Sequence, residues 1–170
     1  MRKSVITKVL AGGLVLAGAS FASAQTNGPL GLSARIGVFF PTNDLARDLS
    51  PNWFALGADW KWKEMPVSSV NPDTLAYLGV SIDYYSHGSD NSALPIVLNY
   101  NVRSGQFVYS GGLGIDFVRA GFGNKSGLCG QLGATYEFGN VPNPVFVQAK
   151  YFFSSRSELS GFGLFAGVRF

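Results

Sequence analysis

Histidine and cysteine are almost absent from this chain of 170 residues: there is one of each, His87 and Cys129. A single cysteine excludes an intrachain disulfide framework. One histidine and one cysteine far apart also exclude a structural zinc site, so no metal and no other cofactor is expected. Long apolar runs are missing too. After Ala24 no uninterrupted segment is long enough to cross a bilayer as a helix. Charge of one sign is likewise lacking past the first 24 residues. Removing Arg2, Lys3 and Lys8 from the thirteen basic residues leaves ten, against ten acidic ones. A nucleic-acid partner, which needs a basic patch on the folded domain, loses its support.

Residues 1–24 read as a cleaved secretory signal. Arg2 and Lys3 supply the positive start, Val9 to Ala17 the short apolar stretch, and Ala22-Ser23-Ala24 a small-x-small cleavage site. Gln25 is then the first mature residue, and a retained anchor helix is the alternative. Cleavage leaves no cysteine to carry a lipid, so a lipoprotein is not expected. Residues 25–170 carry no linker or shift in composition and read as one domain.

That domain is written in period two, the signature of strands with two different faces. Eight segments qualify: Leu32–Phe40, Trp53–Lys63, Leu75–Tyr85, Ala93–Val102, Phe107–Val118, Leu128–Phe138, Val145–Phe153 and Gly161–Phe170. Connectors rich in Gly, Pro, Ser, Asn and Asp separate them. Each segment is close to the roughly 9–11 residues that a tilted strand needs to cross a bilayer. One face of each is apolar with aromatics near its ends; the other carries glycine, small polar residues and single charges. Eight strands enclose room for side chains or one small ligand. Turned inward, residues such as Trp60, Trp62, Tyr84 and Phe117 would overfill that space; turned outward they would meet lipid. The expected fold is therefore all-β: an eight-stranded antiparallel transmembrane β-barrel in up-and-down order, with backbone groups satisfied by closure. A soluble sandwich is the alternative, and it would expose aromatic patches to water.

With the first strand running up from the periplasm, the aromatics sort into two girdles. Trp60, Trp62, Tyr100 and Tyr136 fall near the lower edge; Tyr84, Phe117 and Phe162 fall near the upper one. The inward face holds eight charges: Arg35, Lys61, Lys150 and Arg169 against Asp59, Asp83, Asp116 and Glu137. Charges inside a barrel must be paired or hydrated. Equal numbers point to an internal network, with Arg35–Asp59 and Arg169–Glu137 as candidate pairs. Its functional reading is the gate of a small-solute pore; its structural reading is a filled interior.

The leader, the alternating strands and the closing Gly-Leu-Phe-Ala-Gly-Val-Arg-Phe resemble the small outer-membrane barrels of Gram-negative bacteria, the OmpA/OmpX-like family. The resemblance implies a bacterial outer-membrane location and outer-membrane lipid as the surroundings. It also implies a monomer, and recognition of the terminal Phe170 by the barrel-assembly machinery. Because the chain ends on that strand, no appended peptidoglycan-binding domain is expected. The expected function is non-enzymatic: a porin-like small-solute pore or a structural envelope component. A second reading comes from His87-Gly88-Ser89, which is similar to the His-x-Ser of outer-membrane lipid A deacylases and would make the chain a lipid A-modifying hydrolase. Spacing places both residues in a loop of turn formers, and Asn99 and Asn101 stand where an orienting acid would be sought. Gly121 to Gly127 reads as a glycine-rich hairpin loop and not as a phosphate-binding loop, since a strand and not a helix follows. The connector Glu64 to Thr74 is long for a periplasmic turn.

Overall fold

The computed structural model describes residues 31–65, 74–88, 91–120, 123–139, 141–155 and 159–170. The leader lies outside them, as do 66–73 of the long connector, Ser89, and Gly121 and Phe122. Eight strands close into one barrel: β1 (Leu32–Pro41), β2 (Trp53–Met65), β3 (Thr74–His87), β4 (Asn91–Ser104), β5 (Phe107–Ala120), β6 (Gly123–Phe138), β7 (Val145–Ser154) and β8 (Gly161–Arg169). Each pairs antiparallel with its neighbour in sequence, and β1 pairs with β8 to complete the ring. The ends of the barrel segment meet at this seam: Phe170 donates its backbone N–H to Leu32, and Gly31 donates to Phe170.

The turns follow local chemistry. Gly105 takes φ +59 as the first of the two residues joining β4 to β5, the type II′ position that L side chains avoid. Trp62 is an extra residue in β2, where the register with β3 shifts between Lys61 and Lys63. Three expectations change here. Residues 123–127 are strand, not loop, because β5 and β6 stay paired up to Ala120 and Gly123. Glu64, Met65 and Thr74 likewise belong to strands, which shortens the long connector. Residues 44–49 form a short helix, α1 (Asp44–Leu49), too brief to show helical period in the sequence.

Side-chain alternation decides which face meets what. Leu113, Leu128 and Leu132 are 70%, 73% and 60% exposed on the outside of β5 and β6, while Arg35, Asp83, Glu137 and Lys150 are buried inside. This is the inverse of a soluble barrel, and it is the surface of a barrel that spans a bilayer. Near the lower edge, Phe107 packs against Tyr136 and Tyr136 against Phe138, with ring centroids 5.0 Å apart in both pairs. Trp60, Trp62 and Tyr100 are exposed on the same outer surface. Near the upper edge, register sets Phe162 beside Phe40 on one side and Tyr151 on the other. Tyr84 and Phe117 are exposed there too.

The lumen differs from the expectation of small and polar residues in one respect. Seven aromatics point inward and are buried: Phe39, Trp53, Tyr77, Tyr85, Phe146, Phe152 and Phe165. Glycines make the room. A Cβ at Gly161 would run into the Phe39 ring, one at Gly167 into Phe146, and one at Gly37 or Gly163 into Phe165. Large and hydrogen-sized positions alternate around the wall, so the bore fills without clash.

Candidate functional site: the occupied lumen

The central layer is built on register. Arg35 on β1 stands opposite Gly57 on β2, and Gly57 stands opposite Asp83 on β3. With no side chain between them, Arg35 reaches over Gly57: its Nε and Nη2 donate to Asp83 Oδ1 at 3.1 and 2.6 Å. Its Nη1 donates to Asp59 Oδ2, which also accepts from Ser33 Oγ at 3.0 Å. Lys150 on β7 is flanked by Gly133 and Gly163 on the adjoining strands. It donates from Nζ to Asp83 Oδ2 at 2.6 Å. Tyr85 places its hydroxyl 3.4 Å from that same oxygen. The Phe165 ring lies against both cations, 5.5 Å from the Arg35 guanidinium carbon and 5.6 Å from Lys150 Nζ. Two cations and two carboxylates thus balance in a layer where Arg35, Asp83 and Lys150 are buried and Asp59 is partly open.

Above this layer the lumen is apolar. Phe39 stacks on Tyr85 with centroids 4.4 Å apart, and Tyr85 packs against Phe152 at 5.7 Å. Cys129 is buried in the same cluster, as are Ala46 of α1 and Leu159 from the opposite connector. Thr42 donates its backbone N–H to Ser160 at 2.8 Å, tying those two connectors together. Asp116 is also buried at this level; it accepts from Ser154 Oγ at 2.5 Å and has no ion-pair partner among the described residues.

Below the layer the lumen is polar. Gln131 donates to Ser81 Oγ at 2.8 Å and to Asn99 Oδ1 at 2.6 Å, and Gln148 donates to Thr135 at 2.9 Å. A cavity of about 40 Å³ lies among Asn99, Gln131, Gln148 and Lys150. It holds a few waters at most, given roughly 10–15 Å³ for each. Gln131 Oε1 and Gln148 Oε1 lack a partner in the protein, and water there would supply one. At the lower mouth Glu137 takes both Arg103 and Arg169, the latter at 2.8 Å.

Of the eight charges named from the sequence, Arg35, Asp59, Asp83 and Lys150 come together in the central layer, and Arg169 and Glu137 meet at the mouth. Lys61 turns to Glu64 at 2.5 Å, and Asp116 stands apart. Arg103 was missed, although it continues the inward parity of Asn99 and Asn101 one step past the expected strand end. His87 ends β3 opposite Asn91, with its ring 6.2 Å from that of Trp53. No carboxylate is bonded to it among the described residues, and Ser89 lies outside them. No cluster of metal-ligating groups occurs among the described residues.

These features define a membrane-type, eight-stranded up-and-down barrel with an occupied bore. No family model matches the chain, and no curated protein matches it. Solved structures similar in outline include the following three. The outer membrane enzyme PagL shares 13% identity over 82% of this chain and 99% of its own, with a TM-score of 0.49. The Yersinia pestis outer membrane protein Ail shares 17% identity over 82% and 98%, also at 0.49. The N-terminal β-barrel domain of Pseudomonas aeruginosa OprF shares 12% over 85% and 100%, at 0.47. Identities this low say nothing of activity.

Proposed function

We propose that the chain is a non-enzymatic, structural barrel of the bacterial outer membrane, monomeric and closed to solutes. Lys150 and Asp83 carry this reading: their side chains span the bore from opposite walls and meet at 2.6 Å, with Arg35 sharing the carboxylate. A solute climbing from the lower mouth would have to break buried ion pairs and then displace Phe39, Tyr85 and Phe152. A leader ending Ala22-Ser23-Ala24 supports export, and the outward apolar face supports lipid as the surroundings. Phe170 at the barrel seam supports its reading as the element that the assembly machinery recognises.

Conductance in a planar bilayer tests the proposal. Refolded, heat-modifiable wild type is expected to be electrically silent at all holding potentials. Reproducible discrete steps, altered by Asp59→Asn, would make the chain a pore and overturn the closed reading.

A further inference from the structure

Antiparallel register lays two rows of outward side chains across β5, β6, β7, β8 and β1. The lower row reads Phe107, Tyr136, Val147, Ala166 and Ile36. The row above it reads Tyr109, Ala134, Ala149, Leu164 and Val38. Ala134, Ala149 and Ala166 lie low where Tyr136, Leu164 and Ile36 project, and a groove of about 550 Å³ opens along them on the outer wall. That volume lies in the range of small-molecule pockets. Strands tilt in a membrane barrel, so a row laid across them slants through the bilayer. One end of the groove lies at Phe107 and Tyr136, whose packed rings belong to the lower girdle. The other end reaches Ile36, four residues from Leu32 at the foot of β1 and four from Phe40 at the upper edge, hence near the midplane. Four steps between strands, at roughly 4.8 Å each, make the groove about 19 Å long. At the girdle end Tyr136 donates its hydroxyl to Gln106 Oε1 at 2.6 Å. Gln106 Nε2 has no acceptor among the described residues.

We infer that this groove holds one acyl chain of a glycerophospholipid from the lower leaflet, with the ester or phosphate oxygens of that lipid at Gln106. The girdle marks the headgroup boundary of a membrane barrel. The groove therefore begins where a lipid carries its polar groups and ends within hydrocarbon, as an acyl chain does. Lipid tails are as apolar as the wall, so closeness of packing, and not escape from water, selects an occupant at this depth. On a flat wall a chain touches protein along one side. Over the alanines, between Tyr136 and Leu164, it touches protein on three sides, and each added carbon contact contributes a little dispersion attraction. The Gln106 amide adds a donor at the polar end. A second copy of the chain would fill the groove with side chains but bring no ester oxygen to Gln106. The inference rests on the membrane-barrel reading.

The test titrates palmitoyl-oleoyl phosphatidylethanolamine into the folded barrel held in nonionic micelles and counts retained lipid by native mass spectrometry. Wild type is expected to keep a single phospholipid at saturation. Ala134→Leu and Ala149→Leu raise the floor of the groove. Each is expected to weaken retention about two- to threefold, and the pair about fivefold. Ala58→Leu is the matched control, an outward alanine on β2 that does not line the groove, and it should bind as wild type does. Equal retention by the double variant and Ala58→Leu would overturn the inference. So would a wild type that is a lipid-free dimer and turns monomeric in the double variant, which would make the groove a contact between copies. Heat-modifiability is measured first on every sample. Absence of a folded, heat-modifiable barrel in the wild type would sink the underlying membrane reading, whereas a folded barrel that keeps no phospholipid sinks only the groove.

Discussion

Lys150 and Asp83 stand on β7 and β3, four strands apart in a ring of eight, and their side chains meet across the full width of the lumen at 2.6 Å. Asp83 is the hub of the layer, since it also accepts from Arg35. Asp83→Asn would leave Lys150 buried without an anion and Arg35 with Asp59 alone. Breaking a buried pair from one side costs about 3–5 kcal/mol. Equilibrium urea unfolding in micelles should show a loss of that order for Asp83→Asn and for Lys150→Met separately. The double variant should lose clearly less than their sum, because neither charge is then stranded. Additive losses would mean that the contact across the bore carries no coupling.

Gly57 makes that layer possible. A methyl group there would fall on Asp83 Oδ1 and Arg35 Nε, the two atoms that meet over it. Gly57→Ala is therefore expected to destabilise by about 1–3 kcal/mol, the usual cost of overpacking. Gly111→Ala is the matched control: its Cβ would meet only Leu132 at an ordinary 3.4 Å. It should be within about 0.5 kcal/mol of wild type. Thermal melts of both variants in the same detergent check the contrast, and equal melting temperatures would refute it.

Cys129 offers a direct probe of the upper plug. The thiol is buried on β6 among the apolar side chains that include Phe152 and Ala93. A hydrophilic maleimide should leave it unmodified in the folded barrel and label it fully in urea, as read by mass shift. Burial of this kind makes a cysteine inert. Rapid labelling of the folded protein would place an aqueous path past the aromatic layer.

Architecture was largely legible in the sequence because a barrel writes itself locally. Strand identity, facing and order depend on period-two alternation and short connectors, and the eight expected segments lie within a few residues of β1 to β8, apart from five further residues at the start of β6. Misreadings fell at strand ends, where Gly123–Gly127 look like turn formers yet stay paired with β5. The lumen was legible as a set of charges and not as a set of contacts. Asp83 reaches β7 because Gly57, Gly133 and Gly163 leave space beside the long side chains, a relation among strands that no single strand displays. The inward aromatics were hidden for the same reason. Phe39 shares the period-two face of Arg35, and Phe165 that of Arg169, but only the glycines on neighbouring strands show that such rings fit inside.

The outward face is tested most sharply at Leu113. It lies four residues from Tyr109, which stacks on Phe107 at the lower edge, and four from Phe117 at the upper one, so it sits midway between the girdles, and it is 70% exposed. On a soluble barrel, Leu113→Arg would be neutral or would improve solubility. At the midplane of a bilayer, an arginine on the lipid face costs about 2–4 kcal/mol, falling to roughly 0–1 near the interface. Val145, exposed at the lower start of β7, supplies that second position. Unfolding of Leu113→Arg and Val145→Arg in phospholipid vesicles should therefore differ by about 2 kcal/mol or more. The difference should shrink in short-chain detergent, where the apolar layer is thin and water reaches Leu113. Equal stabilities in vesicles would mean that β5 does not face hydrocarbon, and the barrel would have to be turned back into water.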